Sequence, residues 1–322
     1  FLGYPDGGLA PLWQQHWSVQ EVYRSPYTGV DVSPYNNSFT PEVAYSGQPL
    51  MIDIEALLRI EKPTIILFPS NYEGHPDHWA THAFVTYALE DLKLHGWEKE
   101  PQIYNYLVHY NDWPRPWGAN FMRTLEPPTR IAHEGQWLSL PLSWSERTKK
   151  YNAILKHRSQ VAVMRGFLTS FARATELFQG YPSAVTLRSS PVNQQTVLAT
   201  DAHGDSLIDR LDRYADIVRL TGSLNDADLR LTLSLRGYVK PELRYELEVV
   251  TLGGQAPGLR LRLCYPMSEF PMGITAEQKG DSITFTISRS VLKDAPLLFV
   301  SAETYQGQAR ADRLRQIRVQ LN

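Results

Sequence analysis

The hydrophobic pattern of the chain changes about halfway along its length. From about residue 51 to residue 180, segments with helical spacing alternate with short apolar runs. From about residue 185 onward, apolar and polar residues alternate one by one. The first pattern is typical of a layered α/β domain, and the second of antiparallel sheets that have one solvent-facing side. We therefore predict two domains, residues 1–182 and residues 183–322, with the boundary at Gly180-Tyr181-Pro182-Ser183.

In the α/β half, the hydrophobic pattern predicts helices that alternate with short parallel strands. Residues 52–60 have helical spacing, and residues 64–68 form an unbroken apolar run, as in a strand that is buried on both faces. A further helix is predicted from about residue 78 to residue 94, before Gly96. Its inner side is formed by residues at i, i+4 spacing: Ala80, Phe84, Ala88 and Leu92.

The rest of this half predicts one more strand, one more helical region and two irregular segments. Residues 103–109 predict a strand, and a proline-rich loop follows at 113–128. Residues 145–178 are predicted to be largely helical, with Ser145 as the N-cap. Residues 9–50 are rich in Trp, Tyr, Pro, Ser and Asn and lack clear periodicity, which predicts a long, partly ordered surface loop.

Strict alternation marks the second half as an antiparallel β-sandwich, which we interpret as an accessory domain. Turn residues such as Gly253-Gly254 and Gly280-Asp281 separate several of the alternating segments. Those segments are 229–235, 245–249, 259–263, 283–287 and 317–321. Acidic residues also recur in this half without the alternating ligands of an EF-hand, so we predict turns and a solvated surface there: Asp201, Asp205, Asp209, Asp212 and Asp216.

Composition and charge narrow the classes of function. The net charge is -2 and no long run of like charge is present, which argues against a general nucleic-acid binder with its basic face. The longest apolar runs, such as Ile65-Ile66-Leu67-Phe68, are far too short to cross a bilayer. Cys264 is the single cysteine, so an intrachain disulfide is impossible, and the redox compartment stays open.

The segment Gly74-His75-Pro76-Asp77-His78 carries the strongest chemical signal. It follows a predicted strand and begins a helix, and ligands of parallel α/β sheets bind at this carboxyl end of the strands. Pro76 fixes the turn, so one imidazole can ligate Zn²⁺ while the other faces a substrate. From spacing alone, an equal alternative is that both histidines are surface residues around a helix start that Asp77 caps. His-x-x-His is not a complete catalytic zinc site, which normally takes three protein ligands.

This segment resembles the second signature of the LmbE/PIG-L family of zinc-dependent de-N-acetylases. Phe1-Leu2-Gly3-Tyr4-Pro5-Asp6-Gly7 resembles the family's strand–turn segment that ends in Pro-Asp-Gly. Residues 137–160 resemble its late helix. Tyr106-Leu107-Val108-His109, followed by Asp112-Trp113-Pro114, is similar to one branch of the family.

The resemblance implies a fold, a reaction and roles for four residues. The fold is a three-layer, Rossmann-like LmbE-type domain, and the reaction removes an acetyl group from an N-acetylglucosaminyl compound, a small molecule or a glycan amino sugar, with Zn²⁺ as cofactor. His78 is then a zinc ligand, and His75 stabilises the oxyanion or protonates the leaving amine. Asp77 orients His75. Asp6 is expected near the substrate pocket. His109 is a candidate from its position instead: it ends a predicted strand beside an aromatic loop, so it contacts the substrate or lies in the core or at the rim.

One part of the family pattern is absent. The first signature, Ala-His-Pro-Asp-Asp-Glu, supplies two zinc ligands and the general base, and it lies upstream of the Pro-Asp-Gly segment at which this chain begins. We therefore expect the first strand of the domain to be absent and an upstream segment or a second chain to complete the site. The compartment stays open between the cytoplasm and export or membrane tethering through an upstream segment.

Two other functions fit the same residues. The chain is a carbohydrate-binding or interaction protein if the α/β half is a non-catalytic relic, or a hydrolase of another amide, such as a bacillithiol- or mycothiol-type precursor. Individual side chains also have two interpretations. Trp113, Trp117 and Tyr110 can stack on a sugar ring or simply pack. His82 and His157 are expected to be structural.

Overall fold

The computed structural model describes residues 1–190, 194–201, 213–267 and 269–322. Asp205, Asp209 and Asp212, where we predicted turns, lie outside the described residues. The chain is mixed α/β, as predicted, and divides into two compact units. Unit 1 comprises Phe1–Leu92 and Gly96–Pro182, and unit 2 comprises Lys93–His95 and Ser183–Asn322. Within the described part of the chain, every helix is too short or too polar to span a bilayer.

Unit 1 is built on a four-stranded sheet with the order β1-β2-β4-β3. Strands β1 and β2 are parallel, and the other two pairings are antiparallel. The elements, in chain order, are α1 (Leu9–Gln14), α2 (Gly47–Glu61), β1 (Ile65–Pro69), α3 (Pro76–Leu94), β2 (Gln102–Tyr106), β3 (Trp137–Pro141), α4 (Trp144–Lys156), α5 (Arg158–Thr169) and β4 (Thr175–Gly180). The helix predicted at 52–60, the helix predicted at 78–94 and the strand predicted at 64–68 are confirmed.

Helix α3 is the central packing element of unit 1 because its inner side is uniformly apolar. All four residues of the predicted inner stripe are fully buried: Ala80, Phe84, Ala88 and Leu92. Trp13 of α1 is also fully buried and packs edge-on against Phe84, with ring centroids 5.1 Å apart. The prediction of a mere surface loop for residues 9–50 is therefore wrong at α1. Helix α1 has only six residues, which is too few for a periodic signal. Burial of the aromatic ring of Trp13 stabilises the segment against the rest of unit 1.

One face of the unit 1 sheet is open. Alternate residues of the two edge strands have exposed aliphatic side chains: Ile65 (54%), Leu67 (52%), Leu138 (44%) and Leu140 (53%). On the opposite face, Phe68, Leu177 and Gln179 are buried. The prediction that β1 is buried on both faces is wrong, because β1 is an edge strand with only one face covered. We call the four exposed side chains the open face.

The region predicted to be helical from residue 145 to residue 178 is more divided than expected. Helix α4 begins after Ser143, not at Ser145, because Ser143 and Glu146 form a capping box. The helical segment ends with α5, and Thr175–Gly180 is strand β4. Residues at the start of the family-like late helix form strand β3, in which Leu138 and Leu140 alternate with Ser139.

Unit 2 consists of two five-stranded sheets, with the orders β10-β9-β13-β14-β5 and β11-β12-β8-β7-β6. Its elements are β5 (Val185–Leu187), β6 (Thr196–Thr200), β7 (Ile217–Leu224), β8 (Asp228–Leu235), β9 (Leu243–Leu252), β10 (Arg260–Tyr265), β11 (Ile274–Lys279), β12 (Ser282–Ser288), α6 (Arg289–Leu292), β13 (Leu297–Gln306) and β14 (Ala309–Leu321). All five segments that alternate in the sequence lie in strands of these sheets.

The two sheets of unit 2 share one hydrophobic core. Leu231 and Phe285 come from one sheet and Leu247 and Val300 from the other, and all four are fully buried in a single cluster. Period-two alternation explains this core, because every second residue of a strand projects to the same side. The Rossmann-like and β-sandwich assignments at the level of a fold family stay predictions.

Candidate functional site

Three histidines converge at the carboxyl ends of β1 and β2. His75 and His78 lie in the turn after β1 and the first turn of α3, and His109 lies three residues past β2. The ring centroids of His75 and His78 are 5.0 Å apart, and those of His109 are 5.3 Å from His75 and 5.0 Å from His78. Parallel neighbouring strands bring these residues together, because their carboxyl ends meet at one edge of the sheet. We call the three side chains the imidazole cluster.

A buried carboxylate, Glu73, supports the imidazole cluster. Its side chain has no solvent exposure, and its Oε2 atom lies 3.2 Å from Nδ1 of His78. The same oxygen accepts the backbone N–H of His109 at 2.9 Å, and Oε1 accepts the backbone N–H of Val108. Burying a charge without partners costs several kcal/mol, and these hydrogen bonds offset that cost for Glu73. Glu73 was missed from the sequence, because one acidic residue in a turn has no periodic or motif signal.

The two loops that carry the imidazole cluster are also joined through their backbones. The N–H of Gly74 donates to the carbonyl of His109 at 2.6 Å. A Cβ atom at residue 74 would lie 3.1 Å from that carbonyl oxygen, which is tighter than most real contacts. Glycine therefore permits the close approach of the loop after β1 to the loop after β2.

Asp77 has a different partner from the one predicted. Its carboxylate accepts the backbone N–H groups of Gly7 at 2.6 Å and Leu9 at 3.0 Å. The contact to His75 is made instead by the backbone of Asp77, whose N–H donates to Nδ1 of His75 at 3.3 Å. The segment at residues 7–9 brings both of these backbone donors to the carboxylate, and the role of Asp77 in orienting His75 stays a prediction.

The segment at residues 7–9 places Asp6 close to the start of α3. The side chain of Asp6 is exposed, and the next residue, Gly7, is bonded to Asp77. The two predicted substrate contacts therefore have different surroundings. Asp6 is open to solvent beside the motif, whereas His109 belongs to the imidazole cluster itself.

Aromatic side chains line one side of the imidazole cluster. The ring of His109 stacks on Phe167 of α5, with centroids 5.4 Å apart and planes 26° apart. Phe167 also contacts Trp117 at 6.1 Å, and the guanidinium of Arg115 lies 4.4 Å from the centre of the Trp117 ring. Trp117 is 49% exposed, so part of its ring is available to a ligand.

The other aromatic and histidine candidates are held in structural positions. Trp113 packs on Phe171 at 5.6 Å and donates from its indole nitrogen to the carbonyl of Glu126. His82 is buried, with Nδ1 2.9 Å from the carbonyl of Pro69, as expected for a packed histidine. His157 is exposed at the junction of α4 and α5. Tyr110 forms an isolated antiparallel β-bridge with Trp113.

The environment of His109 favours its neutral form. Burial lowers the pKa of His109; Glu73 raises it, and the neighbouring rings of His78 and His75 lower it further. The lowering effects prevail, so at neutral pH the ring offers one N–H donor and one nitrogen lone pair.

One residue of this site, His78, is suited to ligate a zinc ion, but the described residues do not form a complete metal site. His78 bonds to a buried carboxylate through Nδ1, as metal-ligating histidines do, which leaves Nε2 for a metal. Yet across the described ranges of the chain, no group of three or more His, Cys, Asp or Glu side chains is arranged to hold a metal ion. The chain matches no model of a known protein family, and it matches no curated protein.

Proposed function

We propose that the chain is a metal-dependent amide hydrolase of the LmbE/PIG-L type. The reaction is removal of an N-acetyl group from an N-acetylglucosaminyl-type substrate, with Zn²⁺ as cofactor. Within this proposal, residues 1–182 are a three-layer, Rossmann-like deacetylase domain, and residues 183–322 are an accessory β-sandwich. The observation that carries the proposal is the imidazole cluster over a buried carboxylate at the carboxyl edge of parallel strands.

The chemistry of amide hydrolysis matches the groups that this cluster presents. Water adds to the carbonyl carbon, the C–N bond breaks, and the leaving amine takes up a proton. His78 would hold the zinc ion through Nε2, and bound Zn²⁺ lowers the pKa of its water to about 7. His75 is the candidate to stabilise the oxyanion and to protonate the amine, because it is the cluster's other motif imidazole and its ring is partly exposed.

The aromatic side of the cluster supports a sugar as the substrate. A pyranose ring has apolar faces that stack on aromatic rings, and Trp117 presents part of its ring beside Phe167 and His109. Arg115 adds hydrogen-bond donors next to the same indole ring. Asp6 is exposed beside the start of α3, where it can accept hydrogen bonds from sugar hydroxyls.

Zinc content and acetate release test this function on the complete gene product. We expect His78→Ala to lose bound zinc, because it removes a ligand. His75→Ala should keep zinc and lose turnover on N-acetylglucosamine conjugates by about 10²–10³-fold, the usual effect of removing one oxyanion donor. His157→Ala is the matched control, because His157 is an exposed histidine at a helix junction, and it should change neither quantity.

Equal zinc content in wild type and His78→Ala would refute the assignment of His78 as a ligand. Absence of both zinc and acetate from the complete gene product would reject the hydrolase and favour a carbohydrate-binding or interaction protein with a relic α/β half. If acetate is released from other N-acyl amines but not from amino-sugar conjugates, the mechanism stands and the substrate class changes.

A further inference from the structure

Each of the two histidines of the Gly-His-Pro-Asp-His segment has a hydrogen-bond partner at Nδ1. The partner of His78 is an acceptor, and the partner of His75 is a donor. Nδ1 of His78 faces the Oε2 atom of Glu73 at 3.2 Å, and an ionised carboxylate can only accept a hydrogen bond. Nδ1 of His75 faces the backbone N–H of Asp77 at 3.3 Å, and a backbone N–H can only donate. A neutral imidazole carries one proton, so each partner decides which ring nitrogen has it.

We propose that Glu73 is a positioning residue that fixes neutral His78 as its Nδ1–H tautomer. The backbone of Asp77 fixes His75 as the opposite, Nε2–H tautomer. The two rings therefore present complementary groups at Nε2: His78 offers a lone pair, and His75 offers an N–H donor. This pre-arranged pair goes beyond the proposed function, because it holds in the absence of metal and substrate.

Glu73 is suited to this role because its own position is fixed. The carboxylate has no solvent exposure, so water does not compete for its oxygens. The backbone N–H groups of Val108 and His109 hold it from the side of β2. Its Oε2 atom, which accepts the N–H of His109, also faces Nδ1 of His78.

The two tautomers suit the different roles proposed for the rings, metal ligation for His78 and hydrogen-bond donation for His75. Only a nitrogen lone pair can ligate a metal, and only an N–H can donate to an oxyanion. This catalytic consequence rests on the proposed function, whereas the tautomers themselves do not. Loss of such an outer carboxylate typically costs about 10–100-fold in metal affinity or activity, so Glu73→Gln should reduce one or both by that factor.

Nitrogen-15 NMR of the histidine rings tests the assignment on the full chain without metal or substrate, at a pH where the rings are neutral. Correlations between ring nitrogens and carbon-bound ring protons distinguish the two tautomers, and His75→Asn and His78→Asn assign the signals. In wild type we expect His78 to be protonated at Nδ1 and His75 at Nε2. Glu73→Gln replaces an obligatory acceptor by an amide, so the Nδ1–H population of His78 should fall while His75 stays unchanged.

Asp53→Asn is the matched control. Asp53 is also a buried carboxylate of unit 1, but it accepts hydrogen bonds from Tyr4 and Thr40. The control should leave the tautomers of both histidines as they are in wild type. If Asp53→Asn changes His78 as much as Glu73→Gln does, the effect is general destabilisation and the proposal is overturned.

Wild type alone also decides the matter should Glu73→Gln fail to fold. The Nδ1 proton of His78 should resonate far downfield and exchange slowly, because its acceptor is a carboxylate shielded from water. A wild-type His78 protonated at Nε2, or without that slowly exchanging proton, overturns the proposal. If His78 is protonated at Nδ1 and His75 at Nε2 but the complete gene product releases no acetate, the hydrolase is contradicted and the role of Glu73 stands.

Discussion

The two units are stabilised in different ways, and the difference separates structure from chemistry. Unit 2 buries alternate residues of two sheets in one shared core. Unit 1 has an open sheet face, and its candidate chemistry lies in loops after the strands. Regular strands give unit 2 its packing, whereas irregular loops on a small sheet let unit 1 gather groups that are distant in sequence.

The chain carries a separate probe for each unit, which makes this comparison measurable. All eight tryptophans lie between Trp13 and Trp144, so indole fluorescence reports on unit 1. The single cysteine, Cys264, lies in β10 of unit 2. Burial raises the pKa of its thiol, so we expect slow labelling in the folded chain and fast labelling after unfolding.

The largest effect should come from the ion-pair network of unit 2. Glu303 is buried and accepts hydrogen bonds from Arg313 at 2.6 Å and Tyr305 at 2.6 Å. Glu303→Gln removes the buried negative charge that Arg313 and Arg310 face, which should lower the free energy of unfolding by about 3–5 kcal/mol. The denaturant midpoint of Cys264 labelling measures this loss. A midpoint within error of wild type would show that the network contributes nothing to unit 2.

The carboxyl group of Glu303 should also determine how the stability of unit 2 changes in acid. Burial acts to raise the pKa of Glu303, but Arg313 and Arg310 outweigh it, and the pKa is lowered. Burial also lowers the pKa of Arg313, yet a guanidinium stays charged in acid, so the carboxylate decides the pH dependence. A lowered folded-state pKa contributes stability above the unfolded value of about 4.3, and that stability is lost as the pH falls through the folded-state pKa. Glu303→Gln should therefore flatten the acid side of the stability profile.

An identical substitution in each unit tests the contrast in packing. Leu231→Ala removes a fully buried side chain from the core of unit 2 and should cost about 2–5 kcal/mol by Cys264 labelling. Leu67→Ala removes a half-exposed side chain from the open face of unit 1 and should stay within about 0.5 kcal/mol by tryptophan fluorescence. Equal losses would show that the open face is as well packed in solution as the core of unit 2, and would refute the comparison.

The smallest effect should come from the cap of α4. Ser143→Ala removes the hydroxyl that accepts the N–H of Glu146 and should cost about 1 kcal/mol, while Ser145→Ala, two residues later, should cost less. Thermal unfolding followed by tryptophan fluorescence, with Trp144 at the same helix start, compares the two variants. A larger loss for Ser145→Ala would place the cap where the sequence first suggested it.

Sequence reasoning succeeded where a residue's environment repeats along the chain. Period-two segments such as 229–235 and the inner stripe of α3 were predictable, because each position carries the same signal as its neighbours one period away. It failed for β3 and for the exposed face of β1. Residues 137–141 were included in the family-like late helix, and whether a strand face is covered depends on other elements of the fold.

The candidate site was predictable only in part, for the same physical reason. His75 and His78 were found because they are close together in a motif, and His109 because it ends a predicted strand beside an aromatic loop. Glu73 was missed, and so were the backbone partners of the Asp77 carboxylate. The bonds that define both carboxylates reach backbone N–H groups about 35 and 70 residues away, for which no local pattern exists.

The position of Glu73 limits how this site can diversify during evolution or engineering. One carboxylate ties the loop after β1 to the loop after β2, so an insertion in either loop would displace rings in both. The aromatic side has more freedom, because Trp117 is half exposed and contributes stacking surface. Libraries that aim at new ligands should therefore vary the segment around Trp117 and leave residues 73–78 and 108–109 constant.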